Sequence, residues 1–204
     1  MARLDSKFFL RDTVAAAQDL LGRYLIRSDG EERIVCRITE TEAYVGATDK
    51  ACHAYGGRRT PRTETLYAAP GTSYVYLIYG MYSCLNFVTG PEGEAAAILV
   101  RGCVPVSNID AAARRRFGVP AAEMTAYQRK NFMNGPGKLC RGLSIDRSLN
   151  GLPLGNGLLD LAWDLPELGL PCRSDDLPFH TGKRIGIDYA GEAVDFPWRF
   201  WLDE

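Results

Sequence analysis

The sequence predicts an α+β fold, a mainly antiparallel sheet flanked by short helices, in one domain over residues 1–204. Residues 73–100 hold three strand-like runs joined by short turns, a pattern typical of an antiparallel meander. A run rich in β-branched residues lies at 33–40, and short helical patterns lie at 13–21 and 108–117. The 46% of hydrophobic and 24% of charged residues are typical of a globular protein, not a disordered one.

The strand that begins at residue 33 is expected to end with three residues that have ionisable side chains. If extended geometry continues to Tyr44, the side chains of Glu40, Glu42 and Tyr44 lie on one face, because strand side chains alternate. The polar stretch at 47–70 then reads as irregular, and loops of this length in compact domains are often functional.

The meander begins with the strongest strand pattern of the chain, at residues 73–79. Gly80 ends that strand, and a second run follows at 82–88. The third run, at 95–100, is expected to end at Arg101.

The rest of the chain is predicted to alternate helices with short strands. The predicted helices lie at 107–117 and 120–132, with a short helical piece at 138–143. The predicted strands lie at 158–163, 184–188 and 199–202.

Composition excludes several classes of protein. No run approaches the ~20 apolar residues of a membrane span, and the first residues lack a signal-peptide pattern, so we expect a cytoplasmic protein. The six cysteines have no metal-site spacing, and His53 and His180 are the only histidines, so we expect no metal and interpret both as hydrogen-bonding residues. Neither a P-loop nor a nucleophile elbow is present.

The charge is unevenly distributed along the chain. Residues 1–150 carry 20 lysines and arginines against 15 acids, whereas residues 151–204 carry 4 against 10. Basic residues are concentrated at 50–62 and 101–147. This pattern is compatible with an anion-binding face, although composition alone favours ordinary solvated charges.

Glu42 is the candidate for acid–base chemistry, and Arg101 and Glu40 are its candidate neighbours. Glu42, at the end of a strand beside an aromatic residue, could have a raised pKa, although an arbitrary glutamate is more often a surface residue. A buried Arg101 needs a carboxylate partner, and Glu42 is one candidate. Glu40 and Glu42 could instead form a pair for glycoside chemistry, but nothing else indicates a carbohydrate substrate.

Four tyrosines surround Gly80: Tyr74, Tyr76, Tyr79 and Tyr82. Strand alternation places Tyr74 and Tyr76 on one face and Tyr79 on the other. Core packing and the stacking of nucleic-acid bases explain this cluster equally well from periodicity alone.

Taken together, these residues resemble the alkyladenine (methylpurine, 3-methyladenine) DNA glycosylase family of the mammalian type. The match includes Ile38-Thr39-Glu40-Thr41-Glu42-Ala43-Tyr44-Val45-Gly46. The other matching blocks, in family order, are 20–22, 51–54, 59–62, 70–82, 84–86, 90–94, 98–101, 134–140, 184–187 and 197–200. The chain lacks the long N-terminal extension of the mammalian members, so we expect a bacterial member.

The resemblance implies a monomeric enzyme without cofactors that flips alkylated or deaminated purines out of double-stranded DNA. It would hydrolyse the N-glycosidic bond with an activated water and leave an abasic site. The resemblance makes Glu42 the general base and Arg101 a residue that holds the water together with the main chain near Ile185. It also implies a base pocket, an intercalating residue in a DNA-inserting hairpin, and DNA contacts. The pocket residues are Tyr44, His53, Tyr76 and Asn86, and the intercalating residue is Tyr79. The residues that contact DNA are Arg59, Arg62, Met81, Tyr82 and Lys138.

Two alternatives stay open beside the glycosylase. One is a nucleic-acid-binding module with the same fold but no catalysis, which the presence of Glu42 and Arg101 disfavours. The other is an unrelated metal-dependent hydrolase, which the sparse histidines disfavour. Gly102 stands where the resemblance leads us to expect alanine.

Overall fold

The computed structural model describes residues 1–30 and 32–203, and within them eight strands form one antiparallel sheet. The strands are β1 Tyr24–Asp29, β2 Glu32–Tyr44, β3 Ser73–Ile78, β4 Tyr82–Val88, β5 Ala97–Ser107, β6 Leu159–Ala162, β7 His180–Gly182 and β8 Arg199–Trp201. The α-helices are α1 Ser6–Phe9, α2 Thr13–Leu20, α3 Ile109–Phe117, α4 Ala126–Lys130 and α5 Pro136–Gly142. The predicted α+β class is confirmed.

The long strand β2 organises the sheet. The strands follow the order β3-β4-β5-β2-β1-β6, and β5 pairs along most of β2. On its other side, β2 pairs first with β1 and then, at residues 40–42, with β8. Register irregularities between Ile38 and Thr41 interrupt the β2–β5 ladder, and such bulges bend a strand. At residues 40–42, β2 therefore lies between β5 and β8.

The core lies between the sheet and the helices. Helix α2 packs on β2, where the Thr41 hydroxyl donates a 2.8 Å hydrogen bond to the carbonyl of Ala17. Helix α5 packs on β4, β5 and α3. The largest fully buried side chains include Phe9, Phe87 and Phe200. None of the helices described is both long and apolar enough to cross a membrane.

Most of the predicted elements are confirmed. β3, β4 and β5 pair as the predicted meander. Helix α2 is capped by Asp12, whose carboxylate accepts a 2.8 Å hydrogen bond from the N–H of Ala15. Helix α3 ends at Gly118, which has a φ of 79°.

Three predictions of local structure are wrong. The third meander strand does not end at Arg101, because β2 is long enough to pair with β5 as far as Ser107. The helix predicted at 120–132 is divided, because Thr125 forms a capping box that starts α4 anew. No strand forms at 184–188, where Gly186 has a φ of 75°. Helix α1 and strands β1 and β7 were not predicted from the sequence.

Candidate active site

A cavity of about 390 Å³ lies between four strands and two loops. The strands β2 to β5 contribute most of its walls, and the segments around His53 and Ile185 contribute the rest. The residues that line it are Tyr44, Ala51, His53, Arg62, Leu66, Tyr74, Tyr76, Ile78, Tyr79, Cys84, Asn86, Ala97, Leu99, Arg101, Pro136, Ile185, Gly186, Ile187 and Tyr189. All four residues predicted for the base pocket are among them.

The Glu42 carboxyl group lies fully buried directly behind this lining. Its Oε1 accepts a 2.8 Å hydrogen bond from the N–H of Ile185, and its Oε2 accepts a 2.7 Å bond from the hydroxyl of Tyr44. The Nε of Arg101 lies 3.4 Å from Oε1. Burial raises the pKa of Glu42 above its usual value, while Arg101, Tyr44 and Ile185 act in the opposite direction. The result is a buried carboxylate of increased basicity whose orientation is set by two hydrogen-bond donors and one ion-pair partner.

Arg101 contacts two carboxylates, not one. Beside its approach to Glu42, its Nε donates a 3.2 Å hydrogen bond to Oε1 of Glu40. The candidate ion pair between Arg101 and Glu42 is thus observed, and the strand alternation that placed Glu40, Glu42 and Tyr44 on one face is consistent with these contacts. Glycoside chemistry by this carboxylate pair is disfavoured, because Arg101 lies between them.

One wall of the cavity is a cluster of aromatic rings. The ring of His53 meets the ring of Tyr76 edge-on, with centroids 4.6 Å apart. Rings in contact have centroids ~4.5–7 Å apart, so this pair leaves no slot for a base between its members. The Tyr76 ring is also 5.2 Å from the ring of Tyr74. A bound base would therefore lie against this wall.

His53 is held in its neutral form. Its Nδ1 is 3.0 Å from the hydroxyl of Tyr74, and its Nε2 is 3.5 Å from the guanidinium of Arg62. Because Arg62 has no acceptor, its contact with Nε2 leaves the proton on Nδ1. Burial, and secondly Arg62, lower the pKa of His53 to about 4. The aromatic wall therefore carries no positive charge on the histidine at neutral pH.

Asn86 lies buried on β4 at the base of the same wall. Its Nδ2 donates hydrogen bonds of 3.0 Å to the carbonyl of Tyr74 and 3.4 Å to that of Cys84. The amide nitrogen is thus committed to the backbone of the β3–β4 hairpin, which fixes how the side chain faces the cavity.

The tip of the β3–β4 hairpin is exposed to solvent. Tyr79 and Gly80 both have positive φ values, 52° and 71°, and the N–H of Met81 closes the turn on the carbonyl of Ile78. A positive φ is costly for a bulky side chain. The Tyr79 side chain is nevertheless 82% exposed and gains no core packing in return. Tyr79 lies in the turn beyond the end of β3, so strand alternation does not set its direction, and it lines the same cavity as Tyr76.

A basic groove borders this hairpin tip. It has a volume of about 360 Å³ and runs between the tip and α5; we call it the hairpin groove. Its lining is Ile78, Tyr79, Tyr82, Arg116, Gly135, Pro136, Gly137, Lys138 and Arg141. Within residues 1–30 and 32–203, none of its three cationic side chains has a carboxylate partner within 4.0 Å.

The three cations of the hairpin groove act on one another. Burial and then Arg141 lower the pKa of Arg116, and burial and then Arg116 lower the pKa of Lys138. Lys138 donates two 2.9 Å hydrogen bonds, to Asn131 and Asn134. The sequence analysis named Lys138 but missed Arg116 and Arg141, although both lie in the acid-poor stretch at 101–147.

The other predicted DNA-binding residues occupy different places. Met81 and Tyr82 are exposed beside Tyr79 at the hairpin tip. Arg62 lies at the cavity, with its guanidinium 5.3 Å from the ring centre of Tyr76. Arg59 is not brought to the cavity; it forms a two-bond ion pair with Glu64.

A buried ion pair that the sequence analysis missed supports the cavity from behind. Arg184 donates to both carboxylate oxygens of Asp49, at 2.5 and 2.8 Å, and both side chains are fully buried. Arg184 also donates to the carbonyl of Ala43 and lies 4.8 Å from the ring centre of Tyr44. The ion pair therefore fixes the end of β2, and it also fixes the position of Arg184, which directly precedes Ile185.

Comparison with known proteins extends over nearly the whole chain. Residues 7–204 match the family model described as Methylpurine-DNA glycosylase (MPG). A protein of Clostridium perfringens strain SM101 is 45% identical over 202 residues, which are 99% of this chain and 96% of that protein. One of Desulfitobacterium hafniense strain Y51 is 45% identical over 204 residues, which are 100% and 97% of the two chains. Both carry the name "Putative 3-methyladenine DNA glycosylase".

These matches agree with the geometry of the site, in which a buried carboxylate lies behind an aromatic cavity next to an exposed tyrosine hairpin and a basic groove. The chain belongs to the methylpurine-DNA glycosylase family.

Proposed function

We propose that this chain, acting as one domain and one monomer, releases alkylated purines such as 3-methyladenine from double-stranded DNA. The damaged nucleotide is flipped into the cavity, and water deprotonated by Glu42 hydrolyses the N-glycosidic bond. The product is an abasic site. The position of Glu42 carries this proposal: a buried, donor-oriented carboxylate directly behind the wall of an aromatic cavity.

The surroundings of Glu42 suit a general base. Burial favours the protonated form, and a base is strongest when its pKa approaches the working pH. The donors at Tyr44 and Ile185 fix both oxygens, so a water at the cavity wall would meet a carboxylate of defined orientation. Arg101 lines the cavity beside it and would help to hold that water.

The aromatic wall suits a purine that carries positive charge. Alkylation at N3 or N7 makes the purine cationic and a better leaving group. Such a cation is attracted to the faces of electron-rich rings, here the faces of Tyr76 and Tyr44 that lie opposite Arg62 and Arg184. Neutral His53 adds no repulsion, since its pKa is about 4.

Base flipping would use the hairpin. A base inside a duplex is unreachable, and its extrusion costs a few kcal/mol, less for a damaged or mispaired base. Tyr79 is exposed at the cavity rim and would fill the space that the flipped nucleotide leaves. The hairpin groove would hold the phosphate backbone through Arg116, Lys138 and Arg141.

Water is the proposed nucleophile. In the part of the chain that the structure describes, no lysine lines the cavity, so no amine is available there for a Schiff base. We therefore propose a monofunctional glycosylase that leaves the DNA strand intact.

The test uses duplexes that each carry one defined lesion: 3-methyladenine, 7-methylguanine or hypoxanthine. Incubation in EDTA should release the alkylated bases and leave alkali-labile sites, without strand cleavage before alkali and without trapping by borohydride. An undamaged duplex is the control. Retained binding to lesion DNA without release of any base would support the non-catalytic module instead.

A further inference from the structure

Glu40 joins two arginines next to the proposed base. Its Oε1 accepts a 3.2 Å hydrogen bond from Arg101 and a 2.5 Å bond from Arg199 on β8. The same Nε of Arg101 lies 3.4 Å from Oε1 of Glu42. The side chain of Glu40 is 16% exposed, and Arg101 is 12% exposed, so water screens these charges little. Arg101 is thus shared between two carboxylates.

The backbone around Glu40 leaves space for its side chain. The β2–β5 ladder is irregular on both sides of Glu40, which pairs with Gly102. A Cβ atom at Gly102 would lie 3.1 Å from the Cβ of Glu40 and 3.4 Å from its Oε2. The first distance is tighter than an ordinary contact and the second is an ordinary one, so glycine at 102 leaves room for the Cβ of Glu40 beside it.

We propose that Glu40 is a positioning residue that draws Arg101 away from Glu42 and so keeps Glu42 a strong base. This role rests on the proposed function, in which Glu42 activates water. Without Glu40, Arg101 would pair fully with Glu42, and a carboxylate in a full ion pair binds a proton less well. Glu40 would therefore act through Arg101 and not on the substrate.

Two effects of Glu40 on Glu42 have the same sign. The negative charge of Glu40 raises the pKa of Glu42, and the pull on Arg101 weakens the partner that lowers it. Arg199 has the opposite effect, because it neutralises part of Glu40 and pairs in register with Glu42. The charged or titratable groups that face Glu42 are Glu40 and Tyr44 on β2, Tyr76 on β3, Cys84 on β4, Arg101 on β5 and Arg199 on β8.

The experiment compares two variants that should shift the protonation of Glu42 in opposite directions. Glu40→Gln should move the acid limb of the single-turnover pH–rate profile to lower pH, by roughly half a unit or more. Arg199→Met keeps an apolar stem against Trp201 and should move the limb to higher pH. The control is Glu167→Gln, a similar loss of one carboxylate, whose partner Arg33 lies at the far end of β2. It should leave the limb in place.

A second measurement keeps this proposal separate from the proposed function. Titration of Glu42 by ¹³C NMR, with labelled glutamate carboxyl groups, needs no activity and should show the same opposite shifts. If the wild-type chain released no base, the proposed function would fail while the NMR shifts still decided the role of Glu40. Unchanged Glu42 titration in both variants, or shifts in the same direction, would overturn the role of Glu40. A lower plateau rate with an unmoved acid limb would also overturn it.

Discussion

The main-chain N–H of Ile185 donates a 2.8 Å hydrogen bond to the carboxylate of Glu42, a residue 143 positions earlier in the chain. The residue just before it, Arg184, is locked to Asp49 with both side chains fully buried. The orientation of the proposed base therefore depends on an ion pair whose two residues are not among those lining the cavity.

Removal of one partner from this ion pair should destabilise the protein strongly. Arg184→Met leaves the carboxylate of Asp49 buried without its charge partner, which typically costs ~3–5 kcal/mol of unfolding free energy. Urea denaturation measures the loss. The double variant Arg184→Met/Asp49→Leu should lose less than the sum of the two single variants, because neither charge is then left alone. A loss of unfolding free energy below about 1 kcal/mol in the single variants, or a loss in the double variant equal to their sum, would contradict this interpretation of the ion pair.

His53 should make the protein less stable in mild acid. Its pKa is lowered from 6.5 to about 4, so the unfolded chain binds the proton more readily than the folded one. The contribution of neutral His53 to the unfolding free energy is complete above pH 6.5, and it falls as the pH drops from there towards 4. Between pH 7 and pH 5 the loss should be about 2 kcal/mol of unfolding free energy. Urea denaturation of wild type and His53→Gln should show that the variant lacks this loss; equal losses in both would contradict the lowered pKa.

Tyr79 should matter for excision from duplex DNA. With Tyr79→Ala, release of the lesion should slow and the fluorescence of a neighbouring 2-aminopurine should report less stable flipping. The defect should shrink opposite a mismatch or a gap, where less pairing is given up. Leu168→Ala, at a leucine that is 42% exposed and follows Glu167, the partner of Arg33 at the far end of β2, is the control. An equal defect in that control, or none with Tyr79→Ala, would remove Tyr79 from the flipping step.

The strained backbone of Tyr79 allows a second test. Glycine adopts a φ of 52° without penalty, so Tyr79→Gly should keep or raise the unfolding free energy, by up to about 1 kcal/mol, while excision falls. Thermal denaturation measures the first quantity. A large loss of stability would make Tyr79 a packing residue.

The hairpin groove should contribute to DNA affinity through charge. Arg116→Ala and Lys138→Ala should each weaken binding to any sequence and reduce the slope of log affinity against log salt by about 0.9. The control is Arg33→Ala, which removes a cation at the opposite end of β2. Fluorescence anisotropy at several salt concentrations measures the slopes. Equal slopes in the groove variants and the wild type would exclude backbone contacts in the groove.

The sequence allowed prediction of the parts of the fold that depend on local pattern. The pattern at 73–88 predicts a hairpin, and strand alternation places Glu42 and Tyr44 on one face, consistent with the 2.7 Å hydrogen bond between them. The strand predicted at 184–188 does not form, since Gly186 has a positive φ and Arg184 is turned inward by a partner 135 residues away. Long-range ion pairs of this kind leave no periodic signal.

The same limit explains the gaps in the predicted site. Arg101 and Glu42 could be named as candidate partners, but the additional contacts of Arg101 with Glu40, and of Glu40 with Arg199, depend on the pairing of β2 with both β5 and β8. The set of residues predicted for the hairpin groove was incomplete for a related reason. α3 and α5 bring Arg116 and Arg141 beside Lys138, and helix packing cannot be derived from charge composition.

The most direct test of the account is base release by Glu42→Gln under single-turnover conditions. An amide cannot take a proton from water, so release of 3-methyladenine from duplex DNA should fall by at least ~10²–10⁴-fold, while affinity for the lesion duplex is retained. Glu167→Gln, whose partner Arg33 lies at the far end of β2, should release the base at the wild-type rate. Release by Glu42→Gln at the wild-type rate would show that Glu42 is not the base and would contradict the account.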